Sequence, residues 1–375
     1  MRLVLSVEAL SHNLTGIERY TWELAQRLAT QELLSDVRFY RYGHWVKTPQ
    51  NLLHAAQPQS PNTLHQGFKL PRRMRDWSMS LACRGSVFHG PNFFLPACAD
   101  NGVITVHDLS VFKFPETHPA QRIKQFERDF ARSVAQAAHV ITDSKTTRAE
   151  VMAFTGLPAS RVTAVALGVS DVFKPVSDAD AAQPLHKYGL TPRGYALCVC
   201  TLEPRKKVGQ LLAAWRLLPS GLRSMYPLVL IGGNGWLSRA LQDEASLGQA
   251  QGWVKRLGYV PEQDLPLLYA GAALFVYPST YEGFGLPPVE AMACGVPVVV
   301  SNQSCLPEVT QGAALMVDPD DAEVFCTTLE KGLTDDAWRA SASAAGLAVA
   351  ASYTWARCID ETVAVYQRVD TGCVE

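Results

Sequence analysis

The stretch Tyr277-Pro-Ser-Thr-Tyr-Glu-Gly-Phe-Gly-Leu-Pro-Pro-Val-Glu-Ala-Met-Ala-Cys-Gly295 decides the fold. It continues the apolar run Leu274–Tyr277, which reads as a strand, into a loop carrying Glu282, Gly283 and Gly285. A helix then begins near Pro287, where proline suits the first turn, and Gly295 is placed to end it. Strand, glycine turn and helix form the repeating unit of a helix-covered parallel sheet. The glycines let backbone amides approach a ligand, and the helix start offers unpaired N–H groups suited to phosphate. Glu282 in the loop and Glu290, expected in the first helical turn, are placed to accept hydrogen bonds from hydroxyls on opposite sides of one bound anion. An ordinary carboxylate near a helix N-terminus, worth ~0.3–1 kcal/mol, explains Glu290 equally well.

Outward from this unit, apolar runs alternate with amphipathic helices along the 375 residues. Expected strands in the first half are Leu3–Val7, Val37–Tyr40, Ser86–His89, Gly102–Val106, Val140–Thr142 and Val162–Val165. Those in the second half are Ala196–Cys200, Leu228–Ile231, Val254–Leu257, Leu274–Tyr277, Val296–Val300 and Ala314–Val317. Between the halves, residues 171–191 lose periodicity and contain Pro175 and Pro184, so they read as a linker. The expectation is an α/β protein with two Rossmann-like, doubly wound parallel-sheet domains, over residues 1–170 and 192–354. Such sheets bind ligands at the carboxyl ends of their strands, and a cleft between the halves is the expected site.

Lys+Arg 34 against Asp+Glu 35 gives a net charge of -1, which excludes a strongly basic nucleic-acid binder. Nine cysteines without paired spacings point to reduced thiols in a cytoplasmic compartment. The apolar run around Val296–Val300 is far short of the roughly 20 residues that span a bilayer, so membrane contact is expected to be peripheral.

Several further strand ends carry candidate chemistry. Arg205 and Lys206, in Thr201-Leu-Glu-Pro-Arg-Lys-Lys207, suit a diphosphate or form a solvated basic turn. Thr15-Gly-Ile-Glu18 reads as a capping box, with Gly16 where a helix start could face a phosphate. His107 and Asp108 follow the strand ending at Val106; for Asp108, loop capping is an equal alternative. Ile231-Gly-Gly-Asn-Gly-Trp236 lacks the third glycine of a dinucleotide fingerprint. Asp178-Ala-Asp180 and Asp318-Pro-Asp320 match the Asp-x-Asp pattern of metal-dependent transferases but fall in a linker and a turn, so they read as turn and cap residues and no metal is expected. Lys69-Leu-Pro-Arg-Arg-Met-Arg-Asp-Trp77 interleaves basic and apolar residues, suiting an anionic membrane surface or a solvated helix face.

Glu282 and Glu290, separated by seven residues and enclosing Gly-Phe-Gly-Leu-Pro, resemble the E-x7-E signature of the retaining family 4 glycosyltransferases. The resemblance runs from the first strand to the last helix. It implies the GT-B fold, with an N-terminal acceptor domain, a C-terminal domain for the nucleotide-sugar donor, and a final helix over 355–370 crossing back to the first. It implies that Arg205 and Lys206 neutralise the donor diphosphate together with amides of Gly283, Phe284, Gly285 and Leu286. Glu282 would contact sugar hydroxyls and Glu290 the ribose, and Gly16 would close over the donor phosphate. His107 would hydrogen-bond the sugar or the nascent acceptor bond. Asp108 would orient the acceptor. Tyr259 and Val260 match the loop beside the nucleobase, where strand-to-helix packing is the alternative. Cys200 stands where the family commonly has glycine, and Lys207 where it has asparagine or glycine.

The implied reaction is front-face transfer of a hexose with retention, the leaving phosphate taking the acceptor's proton. The blocks Thr15-Gly-Ile-Glu-Arg-Tyr20 and Val106-His-Asp-Leu109 look most like bacterial mannosyl- or rhamnosyltransferases of O-antigen assembly. That implies a GDP-sugar donor, mannose or rhamnose, and a lipid-linked glycan acceptor. A nucleotide-sugar hydrolase or epimerase and a non-catalytic nucleotide-binding subunit are the competing readings.

Overall fold

A computed structural model of the chain describes residues 1–11, 14, 16–54, 72–115, 120–233 and 239–372. Thr15 of the expected capping box, residues 69–71 of the basic segment and 234–236 of the glycine-rich turn lie outside them. The chain divides into two compact units, Met1–Leu167 with Trp355–Glu375, and Gly168–Thr354.

In the first unit the described strands are β1 (Arg2–Ser6), β2 (Asp36–Arg41), β3 (His44–Val46), β4 (Val87–Gly90), β5 (Asn101–Val106), β6 (Ala137–Thr142) and β7 (Val162–Ala164). They form one sheet in the order β3-β2-β1-β4-β5-β6-β7. All neighbours are parallel except β3, which returns antiparallel to β2. The alternation of runs did not anticipate β3. Its turn, Tyr42-Gly43, takes positive φ at both residues (46° and 80°), the conformation that matches a two-residue hairpin to the twist of its strands. One face of the sheet holds Val4, Phe88, Ile104, Val106 and Val140 against Phe130, Val134 and Val151 of covering helices.

Gly168–Thr354 carries β8 (Ala196–Val199), β9 (Leu228–Ile231), β10 (Val254–Gly258), β11 (Leu274–Tyr277), β12 (Val298–Ser301) and β13 (Leu315–Val317). The sheet order is β10-β9-β8-β11-β12-β13, parallel throughout. β12 reads Val-Val-Val-Ser and is buried along its whole length, the composition of a strand covered on both faces. The order reverses between β8 and β11, which makes their carboxyl ends the topological switch point of the sheet.

Residues 171–191 are not a bare linker. Asp178–His186 is a helix of the second unit, capped by Ser177, whose side chain accepts from the Asp180 amide at 3.2 Å. Ala181 and Leu185, one helical turn apart, are fully buried. Their burial outweighs the cost of Pro184 inside the helix, one of the prolines that point to a linker in the sequence. Asp178 and Asp180 are first-turn carboxylates there, and Asp318 accepts from the Asp320 amide in a turn at 3.0 Å.

The last helix, Trp355–Asp370, belongs to the first unit and packs on β4, β5 and β6 and on the helix Gly16–Leu28. Trp355, Ile359, Val363 and Tyr366 are buried along it. Its polar anchor is a chain of buried hydrogen bonds. Tyr366 Oη lies 2.6 Å from His89 Nδ1, His89 Nε2 lies 2.8 Å from Thr105 Oγ1, and Thr105 Oγ1 lies 3.0 Å from the Tyr20 hydroxyl. Burial and the charge of His107 pull the His89 pKa down to about 3, so the ring is neutral, with one nitrogen donating and the other accepting. Tyr366→Phe leaves His89 Nδ1 unpaired in the interior. The expected loss is about 1–3 kcal/mol of stability with little change in packing, read from denaturant unfolding.

Candidate functional site

In the second unit the two halves of the predicted chemistry meet at the β8/β11 switch point. After β8 the chain passes through Thr201-Leu-Glu and makes a single 3-10 turn, Pro204–Lys206, with Lys207 in the left-handed region (φ 53°) opening the next helix. That turn is sewn to the loop after β11. The Arg205 carbonyl accepts from the Thr280 amide at 2.9 Å, from Thr280 Oγ1 at 3.1 Å and from Ser279 Oγ at 3.4 Å.

Lys206 and Glu282 form a buried ion pair, 7% and 9% exposed. The Lys206 ammonium also donates to the Tyr277 hydroxyl at 3.0 Å, and that hydroxyl donates to Glu282 Oε1 at 2.8 Å. Arg205 Nη1 reaches Glu282 Oε2 at 3.3 Å and the Tyr281 carbonyl at 2.8 Å, while its Nε binds Glu203 Oε2 at 3.0 Å. Burial pushes the Glu282 carboxyl up, but Lys206 and Arg205 override it and hold the pKa at about 2. The Tyr277 phenol moves the other way, well above its usual value, through burial and the adjacent Glu282 charge. The cluster is therefore two cations, two carboxylates and one neutral phenol, with Lys207 turned aside to Asp320 at 2.8 Å.

The glycine loop is shaped as its sequence requires. Gly285 has φ +89° and caps the helix Leu286–Ala293; a Cβ there would come within 2.8 Å of Leu306 Cδ2. Gly283, Phe284 and Gly285 are buried, Leu286 is half-buried, and the Phe284 ring packs edge-on to Tyr353 at 5.2 Å. Gly295 ends the helix in the left-handed region (φ 72°), its amide donating to the Met292 carbonyl at 2.9 Å. Glu290 is not in the first turn, as expected, but one turn further along and buried. This removes it from the orphan amides on which a helix-dipole reading depends. Its charge adds to burial in raising the Tyr269 phenol and in pushing the Cys294 thiol up to about 12.

At the ends of β9 and β10, Tyr259 and Val260 separate. The Tyr259 ring is 68% exposed, whereas Val260 is buried packing. A cavity of about 300 Å³ nearby is lined by Leu202, Ile231, Gly232, Arg256 and Gly258. Gly232 is obligatory: φ is +137°, and a Cβ would fall 2.0 Å from the Cys200 carbonyl oxygen.

The first unit assembles the remaining candidates separately. Gly16 opens the helix Gly16–Leu28 at φ +39°, exposed and with open space around it. Val106 of β5 stands opposite Thr142 of β6, so the next residues, His107 and Asp143, emerge side by side. His107 Nδ1 binds Asp143 Oδ2 at 2.7 Å, and Nε2 binds the Pro91 carbonyl at 2.8 Å. The carbonyl only accepts, so Nε2 carries a proton, and a second proton is shared between Nδ1 and Asp143, whose own pKa burial raises. Burial opposes that charge, but Asp143 prevails and raises the His107 pKa. Contact with a sugar hydroxyl through the imidazole would require one of these two bonds to open. Asp108 accepts from the Ser110 amide at 2.8 Å, the loop-capping arrangement.

Sequence reasoning missed three contributors. Asp143 sits in Thr142-Asp-Ser144 at a strand end, a weak signal on its own. Tyr277 reads as the last apolar residue of β11, with nothing to announce its hydroxyl. Ser304, at φ 57°, accepts from the Glu282 amide at 3.1 Å and donates to the Glu282 carbonyl at 2.8 Å, clamping the loop from a distant segment.

Residues 14–172 match the family described as Glycosyltransferase Family 4, and residues 187–348 the one described as Glycosyl transferases group 1. The protein belongs to the family 4 glycosyltransferases, enzymes of the GT-B fold that transfer hexoses. It is 38% identical over 381 residues to O-antigen chain mannosyltransferase B of Escherichia coli, a match covering 98% of this chain and 100% of that one. Serotype-specific mannosyltransferase WbdA of Escherichia coli is 32% identical over 277 residues, 72% of this chain but 34% of the longer relative. Among solved structures, sucrose-phosphate synthase from Thermosynechococcus elongatus superposes with a TM-score of 0.73 at 19% identity, covering 99% of both chains, which speaks for the fold.

The low pKa of Glu282 has a stability signature. Because the folded value lies below the ordinary 4.5, the ionised carboxylate contributes stability that is complete above that pH and lost as pH falls towards 2. Glu282→Gln should be less stable than wild type at neutral pH. Acid-unfolding curves should show that gap closing between pH 4.5 and 2.

Proposed function

We propose that this glycosyltransferase moves mannose from GDP-mannose to a growing lipid-linked polysaccharide of the O-antigen type, with retention at the anomeric carbon. The observation that carries the reading is the meeting of Arg205, Lys206 and Glu282 at the β8/β11 switch point. As the bond between the anomeric carbon and the β-phosphate oxygen breaks, negative charge accumulates on the departing GDP. Arg205 and Lys206 oppose that charge, together with amides of Gly283–Leu286 at the helix start. Two cations beside these amides meet the diphosphate charge, so the proposal includes no metal ion. Glu282 accepts hydrogen bonds from mannose hydroxyls and Glu290 from the ribose. The acceptor hydroxyl attacks from the face the diphosphate leaves, and its proton passes to the departing phosphate oxygen.

The preference for mannose rests on the near full-length similarity to O-antigen chain mannosyltransferase B. No described helix is long and apolar enough to cross a membrane. Peripheral contact is proposed through the helix Arg72–Cys83, where Trp77 and Leu81, one turn apart, are 67% and 48% exposed.

Thermal unfolding against a panel of nucleotide sugars tests the donor. GDP-mannose at one hundred times its dissociation constant should stabilise the protein by about 2.7 kcal/mol. A shift confined to UDP-sugars would overturn the donor assignment. Hydrolysis of the donor at full rate without acceptor would overturn transfer itself. Glu282→Gln should retain GDP binding and lose mannose transfer.

A further inference from the structure

We infer that Tyr277 is a positioning residue, whose hydroxyl, accepting from Lys206, fixes the Glu282 carboxylate in one arrangement for reading the donor sugar. The inference rests on the proposed roles of those two residues and extends the site to a residue that contacts neither diphosphate nor sugar. Its basis is a closed triangle of hydrogen bonds at the carboxyl end of β11. Lys206 Nζ donates to the Tyr277 hydroxyl at 3.0 Å, that hydroxyl donates to Glu282 Oε1 at 2.8 Å, and Lys206 donates to the same Oε1. A phenol has one proton to give. Giving it to Oε1 leaves the phenol oxygen to accept from Lys206, so the directions around the triangle are fixed.

The consequence is geometric. An ammonium is a point charge on a flexible stem, and alone it would let a carboxylate rotate about its last bond. A second donor on Oε1, carried by a rigid ring, fixes the carboxylate plane and turns Oε2 towards Arg205 at 3.3 Å. The ring is itself immobile: Tyr277 is 3% exposed and stacked on Phe275 at 6.1 Å between centroids. The hydroxyl is not required to fill space, because phenylalanine has the same ring. Its buried oxygen is placed for the carboxylate.

The test is Tyr277→Phe, which keeps the ring and removes only the hydroxyl. Calorimetric binding of GDP reads the diphosphate contacts, and steady-state transfer from GDP-mannose reads the sugar contacts. We expect GDP affinity within about threefold of wild type and a ten- to hundredfold fall in kcat, as about an ångström of misplacement produces. An unchanged kcat would overturn the inference. So would a parallel loss of GDP affinity and kcat with a lowered unfolding midpoint, the signature of a purely structural tyrosine. A wild-type protein that binds no nucleotide overturns the underlying reading, in the wild type and before any variant is compared. If the wild type selects a different base, the same comparison with that nucleotide and its sugar separates an error in the donor from an error in Tyr277.

Discussion

The second unit is organised around one electrostatic constraint: a lysine and a glutamate removed together from water. Neither charge is tolerable there alone, since the desolvation of a buried ion costs several kcal/mol even after relaxation. Their pairing obliges two segments more than seventy positions apart to meet, the turn Pro204–Lys206 and the loop after β11. The supporting bonds follow from that meeting. Thr280 and Ser279 bind the Arg205 carbonyl, Ser304 grips both backbone groups of Glu282, and Cys305 Sγ lies 3.2 Å from the Glu282 carbonyl. A buried pair of this kind is weak evidence of net stability. What it secures is registration between two loops beyond the end of the β8–β11 ladder.

The first unit solves a similar problem with a different pair. Parallel register delivers His107 and Asp143 to neighbouring strand ends, where an imidazole and a carboxyl group are buried in one hydrogen bond. The rings of Tyr20 and Phe93 stand edge-on to the imidazole at 5.1 and 5.9 Å and surround it with aromatic packing. In both units these buried pairs lie at the carboxyl ends of strands. There, chain direction and sheet twist bring polar loop residues together without interrupting the apolar layers beneath.

How far the sequence was legible follows from which physics is local. Runs such as Val-Val-Val at β12 and Leu-Val-Leu-Ile at β9 announce themselves, because a doubly covered strand has to be continuously apolar. The Glu282–Glu290 loop was legible for the same reason, since its glycines and prolines answer to backbone angles set within a few residues. The helix Asp178–His186 was missed because proline signals were weighed without the burial of Ala181 and Leu185, a tertiary fact. β3 was missed because three largely exposed residues carry little pattern. Tyr277 and Asp143 needed the third dimension: a phenol in an apolar strand and an aspartate before a serine acquire meaning only when a partner arrives from another strand.

The return of the last helix to the first sheet also orders events on the ribosome. Domains usually fold in the order in which they are synthesised. Here residues 168–354 are complete before Trp355–Asp370 has been made, while the first sheet still lacks a covering helix and His89 lacks the Tyr366 hydroxyl. The second unit can thus close before the first, which, though begun earlier, has to wait for Trp355–Asp370. Until then the faces of β4, β5 and β6 that this helix covers stay open to solvent.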